Sequence, residues 1–193
     1  MKGLVHTYYT LLLLACICSP PVKSFAHPHH NRPKNCTNYV LIEGSSNINS
    51  FEFIHAAPRL VQSDKSTWSH QVTVPVKEFT GSNQHMRNDF LKLLKAAKYP
   101  EIKIKIEPEE KADKIKPGEL TAMNAHISLA GNQHNYLVPC KISSCDSSEV
   151  MIEGALQIKL TDFNIDPPKK VLGVVKVNDE VFITFAFKHE FVN

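Results

Sequence analysis

Glycine is scarce in this chain, at 7 residues in 193. That excludes collagen-like repeats, solenoids turned on glycine, and phosphate-cradling loops that need glycines in series. The catalytic signatures are missing as well. There is no GxSxG elbow, no HExxH and no nucleotide loop. No CxxC occurs, and no two histidines stand at a ligand interval in the region that reads as folded, so zinc-site spacing is lacking. Charge of one sign is lacking too: 22 Lys and Arg face 19 Asp and Glu, too even a balance for a nucleic-acid surface. Glu109-Glu110 sits in a charged stretch and reads as a solvated loop. His70, His126 and His134 fall on different strands and read as structural or surface residues. These absences point away from an enzyme and imply no cofactor.

The amino terminus reads as a targeting segment. Lys2 precedes an apolar stretch, Leu4 to Cys18, too short for a comfortable bilayer span. Pro20 and Pro21 end it, and Ser24-x-Ala26 offers small residues for cleavage after Ala26, making 1–26 a signal peptide. The alternative is "LLAC", residues 13–16, a lipoprotein box with Cys16 acylated and the protein anchored to a membrane. Either route exports the protein, to the periplasm or beyond. Cleavage after Ala26 removes Lys2 and Lys23, leaving 20 basic against 19 acidic side chains, a net of +1.

Residues 27–38, beginning "HPHHNRPKN", read as a flexible leader rich in His, Pro and Asn. His27 at a new terminus is a candidate copper(II) chelator through its amine and imidazole, with His29 or His30 adding a donor. Pro28 removes the amide proton that the tighter amino-terminal mode needs. Three cysteines remain past the cleavage site: Cys36, Cys140 and Cys145. In an oxidising compartment Cys140 and Cys145, separated by "KISS", are candidates for a small local bridge; the other reading is unpaired thiols.

From Tyr39 onward the hydrophobic period is mostly two, the mark of half-buried strands. Phe51 and Phe53 alternate in "INSFEFIH", Val72 and Val74 in "SHQVTVPV", and Ile102, Ile104 and Ile106 with Lys103 and Lys105. Met123, Ala125 and Ile127 follow. Further on, "LGVVKV" and "VFITFAFKHEF" flank the polar "NDE", the latter carrying Ile183 and Phe185. Pro75 suggests an edge or a strand end, Gly131-Asn132 a hairpin turn, and Gly154 a bulge or barrel bend. One stretch departs from this period: Met86, Phe90, Leu94 and Ala97 recur at helical spacing. About eight strands, short connections and one helix predict an all-β, eight-stranded antiparallel barrel over 39–191, with the amphipathic helix laid over an open end as a lid.

The ordered set "SSNINSF", "NQHMRNDFLKLLKAAKYPEIKIKIE", "GELTAMNAHISLAG", "YLVPCKI" and "LTDFNIDPPKKVLGVVKVNDEVFITFAF" resembles the YceI-like family, in the form common in Bacteroidetes. The most specific pieces are Tyr99-Pro100-x-Ile102 after the helix and the Asp162-Phe163 corner. Leu160-Thr161 stands where the commoner pattern has an Arg, and His85-Met86-Arg87-Asn88 replaces its basic-Asp-x-His start of the helix. The resemblance implies an exported, lipocalin-like barrel that binds an isoprenoid or other lipid chain inside. Candidate lining and lid residues are then Phe51, Phe53, Val72, Val74, Met86, Phe90, Leu94, Ile102, Ile104, Ile106, Met123, Ile127, Ile183 and Phe185. The competing readings are a ligand-free structural or stress-protective interaction protein, and a metal-handling or catalytic one.

Overall fold

Alternation decides where each strand turns its side chains. Along "EIKIKI" the isoleucines are buried and the lysines exposed, and the same two-residue rhythm runs through most of the chain. The computed structural model describes residues 36–58, 60–64, 67–81, 83–109, 115, 118–170 and 173–190. The expected signal segment with Cys16, and His27, His29 and His30, lie outside the described residues.

The strands are β1 (Tyr39–Ser46), β2 (Ser50–Ala56), β3 (Leu60–Asp64), β4 (Ser69–Pro75) and a short β5 (Thr80–Gly81). After helix α1 (Gln84–Leu93) come β6 (Glu101–Pro108), β7 (Leu120–Leu129), β8 (Asn132–Ser144), β9 (Glu149–Lys159), a short β10 (Lys169–Lys170) and β11 (Val175–Glu190). All ladders are antiparallel, in the order β3-β4-β6-β7-β8-β9-β11-β1-β2-β5, with β10 beside β11. Fold class is as expected, and α1 is the one α-helix among the described residues.

Two details of the count differ. "LGVVKV" and "VFITFAF" belong to one strand of 16 residues, because the polar "NDE" stays extended. Asn178 there bonds Ser45 Oγ at 2.9 Å, and Asp179 accepts from the Thr161 hydroxyl at 2.7 Å. β3 adds a strand whose "LVQSD" shows no alternation, which brings the strands of five or more residues to nine. Nor is the barrel fully closed by hydrogen bonds. Among the described residues no ladder joins β3 or β4 to β2 or β5, so the sheet is a curled half-barrel. At this seam β4 stops at Pro75, and a 3-10 turn, Val76–Glu78, carries the chain across with Val76 and Phe79 buried.

Two glycines are fixed by close approach. Ala130 and Gly131 both have positive φ and form the two-residue turn between β7 and β8, one residue earlier than expected. A Cβ on Gly131 would also lie 2.5 Å from the Tyr99 ring. Gly154 makes no bulge, since its ladders run through in register; a Cβ there would lie 2.4 Å from the Phe185 ring and 2.9 Å from Cys140 Sγ.

The cysteine expectation is corrected. Cys36 pairs with Cys145 across 109 residues, and Cys140 is a buried free thiol. Five residues of extended strand span roughly 16 Å, whereas bridged Cα atoms lie within about 7 Å. Cys140 points into the barrel from β8 and its thiol is pushed up to about 12 by burial, which leaves it inert. Cys145 lies past the strand end. The bridge fixes the last part of the expected leader: Asn38 also accepts from Ala57 N at 2.6 Å and from Lys188 N at 2.8 Å. Beside it Tyr39, Leu41, Met151 and Ala186 form a small second apolar cluster.

The same end of the barrel is plugged from inside. His70 Nε2 lies 3.1 Å from His189 Nδ1, and Trp68 stacks on the His189 ring with centroids 4.0 Å apart. β4 and β11, which carry the two histidines, are five ladders apart in the sheet order, so this contact crosses the interior. Burial, and then the neighbouring His189, lower the His70 pKa from 6.5 to about 4.

Two expectations follow. Peptide mapping without reduction should show Cys36 joined to Cys145, and Cys36→Ser should lower stability by about 2–4 kcal/mol; a Cys140–Cys145 peptide would refute the pairing. The second concerns acid. His70 binds its proton more weakly folded than unfolded, so its full contribution is present above pH 6.5 and is lost as pH falls toward about 4. The loss amounts to as much as about 3 kcal/mol. The lowered carboxylates Glu107, Asp146 and Asp179 act only below this range, from reference values of 4.5 and 3.8. Urea midpoints of wild type should therefore drop between pH 6.5 and 4.5, and those of His70→Gln should stay flatter.

Candidate functional site

Helix α1 begins where Asn83 accepts from Met86 N at 2.9 Å. It ends in a Schellman turn, with Ala96 N donating to Leu91 O at 2.9 Å and Lys95 N to Lys92 O at 3.0 Å. Lys95 takes the positive φ usual for glycine there. The turn brings Ala96 inward and leaves Ala97 exposed, which corrects the helical face expected to end at Ala97. Ten residues make a helix too short to persist unaided, so side chains must hold it. Phe90 does most of this. Its ring stacks on Phe53 at 4.2 Å and meets Phe79 edge-on at 5.6 Å. Arg87 ties the helix to the seam through the carbonyls of Phe79 and Lys77, and His55 Nε2 ties β2 to Glu78 at 2.9 Å.

Beneath the helix lies an inner cavity of about 50 Å³ with an entirely apolar lining. Outside it, at the barrel mouth, is a pocket of about 190 Å³ with Ser46, Asn49 and Asp89 among its few polar groups. Phe51, Phe90, Leu93 and Val177 line both spaces and so form the partition between them.

The expected lining residues divide accordingly. Phe53 and Met86 line the mouth, and Leu94, Ile102, Ile104, Ile127 and Ile183 the inner cavity, while Phe51 and Phe90 serve both. Val72, Val74, Ile106, Met123 and Phe185 line neither of these two spaces; they are buried in the rest of the barrel. Their alternation placed them inside, but strand period carries no information on how far along the barrel a cavity extends. Sequence reading missed Ile48, Pro168, Val175 and Val177 at the mouth. Ile48, Val175 and Val177 stand in stretches read as strands, but strand period alone did not single them out as lining.

Across the mouth, Phe163 is fully buried at the corner after β9, and Asp162 accepts from the Tyr136 hydroxyl at 2.8 Å. Burial, then that carboxylate, raise the Tyr136 pKa, so the pair is a fixed structural hydrogen bond. Asn132 closes the corner by donating to Phe163 O at 2.7 Å. His126 bonds Asn135 and Glu107 on the outer surface. Among the described residues no group of three or more His, Cys, Asp or Glu converges as a metal site, and no helix is long and apolar enough to cross a membrane.

The YceI-like domain model matches residues 39–189, from the first strand to the last. The chain belongs to the YceI-like family. Among solved structures it is similar to a polyisoprenoid binding domain from Saccharophagus degradans implicated in plant cell wall breakdown. That match has a TM-score of 0.60 at 11% identity and covers 80% of this chain and 94% of that one. BcnA of Burkholderia cenocepacia matches at 0.56 and 18% identity, over 79% of this chain and 95% of that one. A YCEI protein of Campylobacter jejuni matches at 0.54 and 16%, over 97% and 100%. At these identities the likeness is one of fold. No curated protein matches the chain by sequence.

If Phe90 anchors the lid, its truncation must cost far more than that of its helical neighbour. Phe90→Ala should destabilise by about 3–5 kcal/mol, and Met86→Ala, half-buried at the mouth, by no more than about half as much. Equal costs in urea denaturation would remove the anchoring role.

Proposed function

We propose that this protein is an exported carrier or receptor for an elongated apolar lipid of isoprenoid type, held in the barrel beneath α1 with its end at the mouth. The observation that carries the reading is the pair of adjoining spaces. The inner one is wholly apolar, and it meets the outer one across side chains rather than backbone. Backbone ladders cannot part without losing hydrogen bonds, but Phe90, Leu93 and the helix that bears them can shift while the sheet stays whole. Membership in the YceI-like family agrees with this, and one solved neighbour is described as a polyisoprenoid binding domain. Export is supported by Ser24-x-Ala26 behind the two prolines and by the Cys36–Cys145 bridge, which suits an oxidising compartment.

The spaces are small beside the roughly 300–1,000 Å³ of ordinary small-molecule sites. A prenyl chain must therefore displace the partition, and binding is coupled to opening of the lid. That same tight packing favours the second reading, a ligand-free structural protein. Titration with prenyl alcohols of increasing length separates them. Each buried methylene is worth about 0.8 kcal/mol, close to fourfold in affinity, less the cost of ordering the chain and opening the lid. Affinity should climb with each isoprene unit, and protein purified from its own host should release an apolar molecule on organic extraction, read by mass spectrometry. No bound mass and no length dependence would leave the ligand-free reading standing.

A further inference from the structure

The rim around the mouth differs from the rest of the surface. Ile48, in the turn between β1 and β2, is 65% exposed, and Val174, just ahead of β11, is 66% exposed. They project from two turns that are bound together: Asn47 donates to Val174 O at 2.9 Å, and Lys176 N donates to the Asn47 side chain at 2.8 Å. Ile48 and the neighbouring Val175 line the mouth pocket. Among the described residues the other large exposed apolar side chains, Leu120 and Leu137, belong to β7 and β8, and Leu120 starts its strand at the plugged end.

Charge is arranged around the same rim. Lys92 and Lys95 are exposed at the end of α1, and Lys169 and Lys176 pair on the hairpin of β10 and β11, also exposed. Against these stand Asp89 in the mouth and Asp166 before the Pro167-Pro168 pair; Asp179 is engaged by Thr161.

We propose that this rim docks on an anionic lipid bilayer, with Ile48 and Val174 inserted among the acyl chains and the lysines at the headgroups, so that the mouth opens directly onto the membrane. Apolar tips flanked by exposed lysines on α1 and on the β10–β11 hairpin fit an interface that is apolar below and negative at its surface. Lysine stems can lie along the apolar rim while their amines reach the phosphates. The proposal rests on the reading of the mouth as a lipid port. It also explains how a water-insoluble chain reaches a cavity roofed by a helix without crossing solvent.

The test uses the processed protein, residues 27–193, which lacks Cys16 and Cys18, with Val174→Cys carrying an environment-sensitive fluorophore, and Leu120→Cys labelled likewise as the control at the opposite end. Cys140, buried and inert, does not take the label. With vesicles of mixed phosphatidylcholine and phosphatidylglycerol, the probe at 174 should shift to the blue while that at 120 does not. Lys92→Gln, Lys95→Gln and Lys169→Gln combined should weaken the response on the order of a hundredfold, about fivefold for each lysine near the surface. Added salt should weaken it as well. A shift at both positions would assign the attachment to another part of the chain, and an equal response to pure phosphatidylcholine would remove the role of charge. A concentration-dependent shift without vesicles would assign the face to a second copy of the protein. Any of these overturns the proposal. The lysine variant should still take up a prenyl alcohol from detergent as wild type does; if wild type itself takes up none, it is the binding reading that fails.

Discussion

A single aromatic insertion, Phe90 between Phe53 and Phe79, is what the mouth of this barrel depends on. The sheet path ends at β3 on one side and β5 on the other, with no described ladder between them. The gap is covered by a 3-10 turn and a ten-residue helix that could not hold its shape alone. Capping by Asn83 and the turn at Lys95 define where the helix starts and stops, but neither fixes it to the barrel. Phe90 and Leu94 do, from one face, with Arg87 as the polar tether. The lid is therefore a unit attached by a few side chains, and its detachment leaves every strand ladder intact.

The partition between the two spaces follows from the same attachment. Phe90 and Leu93 stand on the helix, Phe51 and Val177 on β2 and β11, and together they close off a cavity that holds little more than a water's share of volume. In an apolar interior such close packing is favoured, because empty volume forfeits dispersion contacts. A long ligand would replace those contacts with its own. A longer ligand would bury more apolar surface, offset by the cost of moving the lid.

Much of this was legible in the residues. Strict alternation identified the inward faces of β4, β6, β7 and β11, and the change of period after Gly81 located the helix and its buried Phe90. What the sequence withheld is long-range. Cys36 and Cys145 meet only because the chain circles the barrel between them, and the short spacing of Cys140 from Cys145 pointed the other way until β8 was seen to run extended through the first. Polar "NDE" looked like a turn because its partners, Ser45 and Thr161, lie far off in sequence. The depth of the cavity was likewise invisible: Ile104 and Ile106 are indistinguishable by period and both buried, yet only Ile104 lines the inner space.

The two ends of the barrel are built for opposite tasks, and the division makes mechanical sense. At the far end Trp68, His70 and His189 fill the interior, and the Cys36–Cys145 bridge clamps the start of β1 to the turn before β9. Covalent and buried polar contacts of this kind tolerate little displacement, since a buried polar group moved off its partner costs on the order of 1–3 kcal/mol. At the mouth the lid itself is held chiefly by apolar contacts, with Arg87 as its polar tether, and apolar surfaces can slide without such a penalty. On the proposed reading a ligand enters at the mouth, and the plugged end gives the lid a fixed frame to move against.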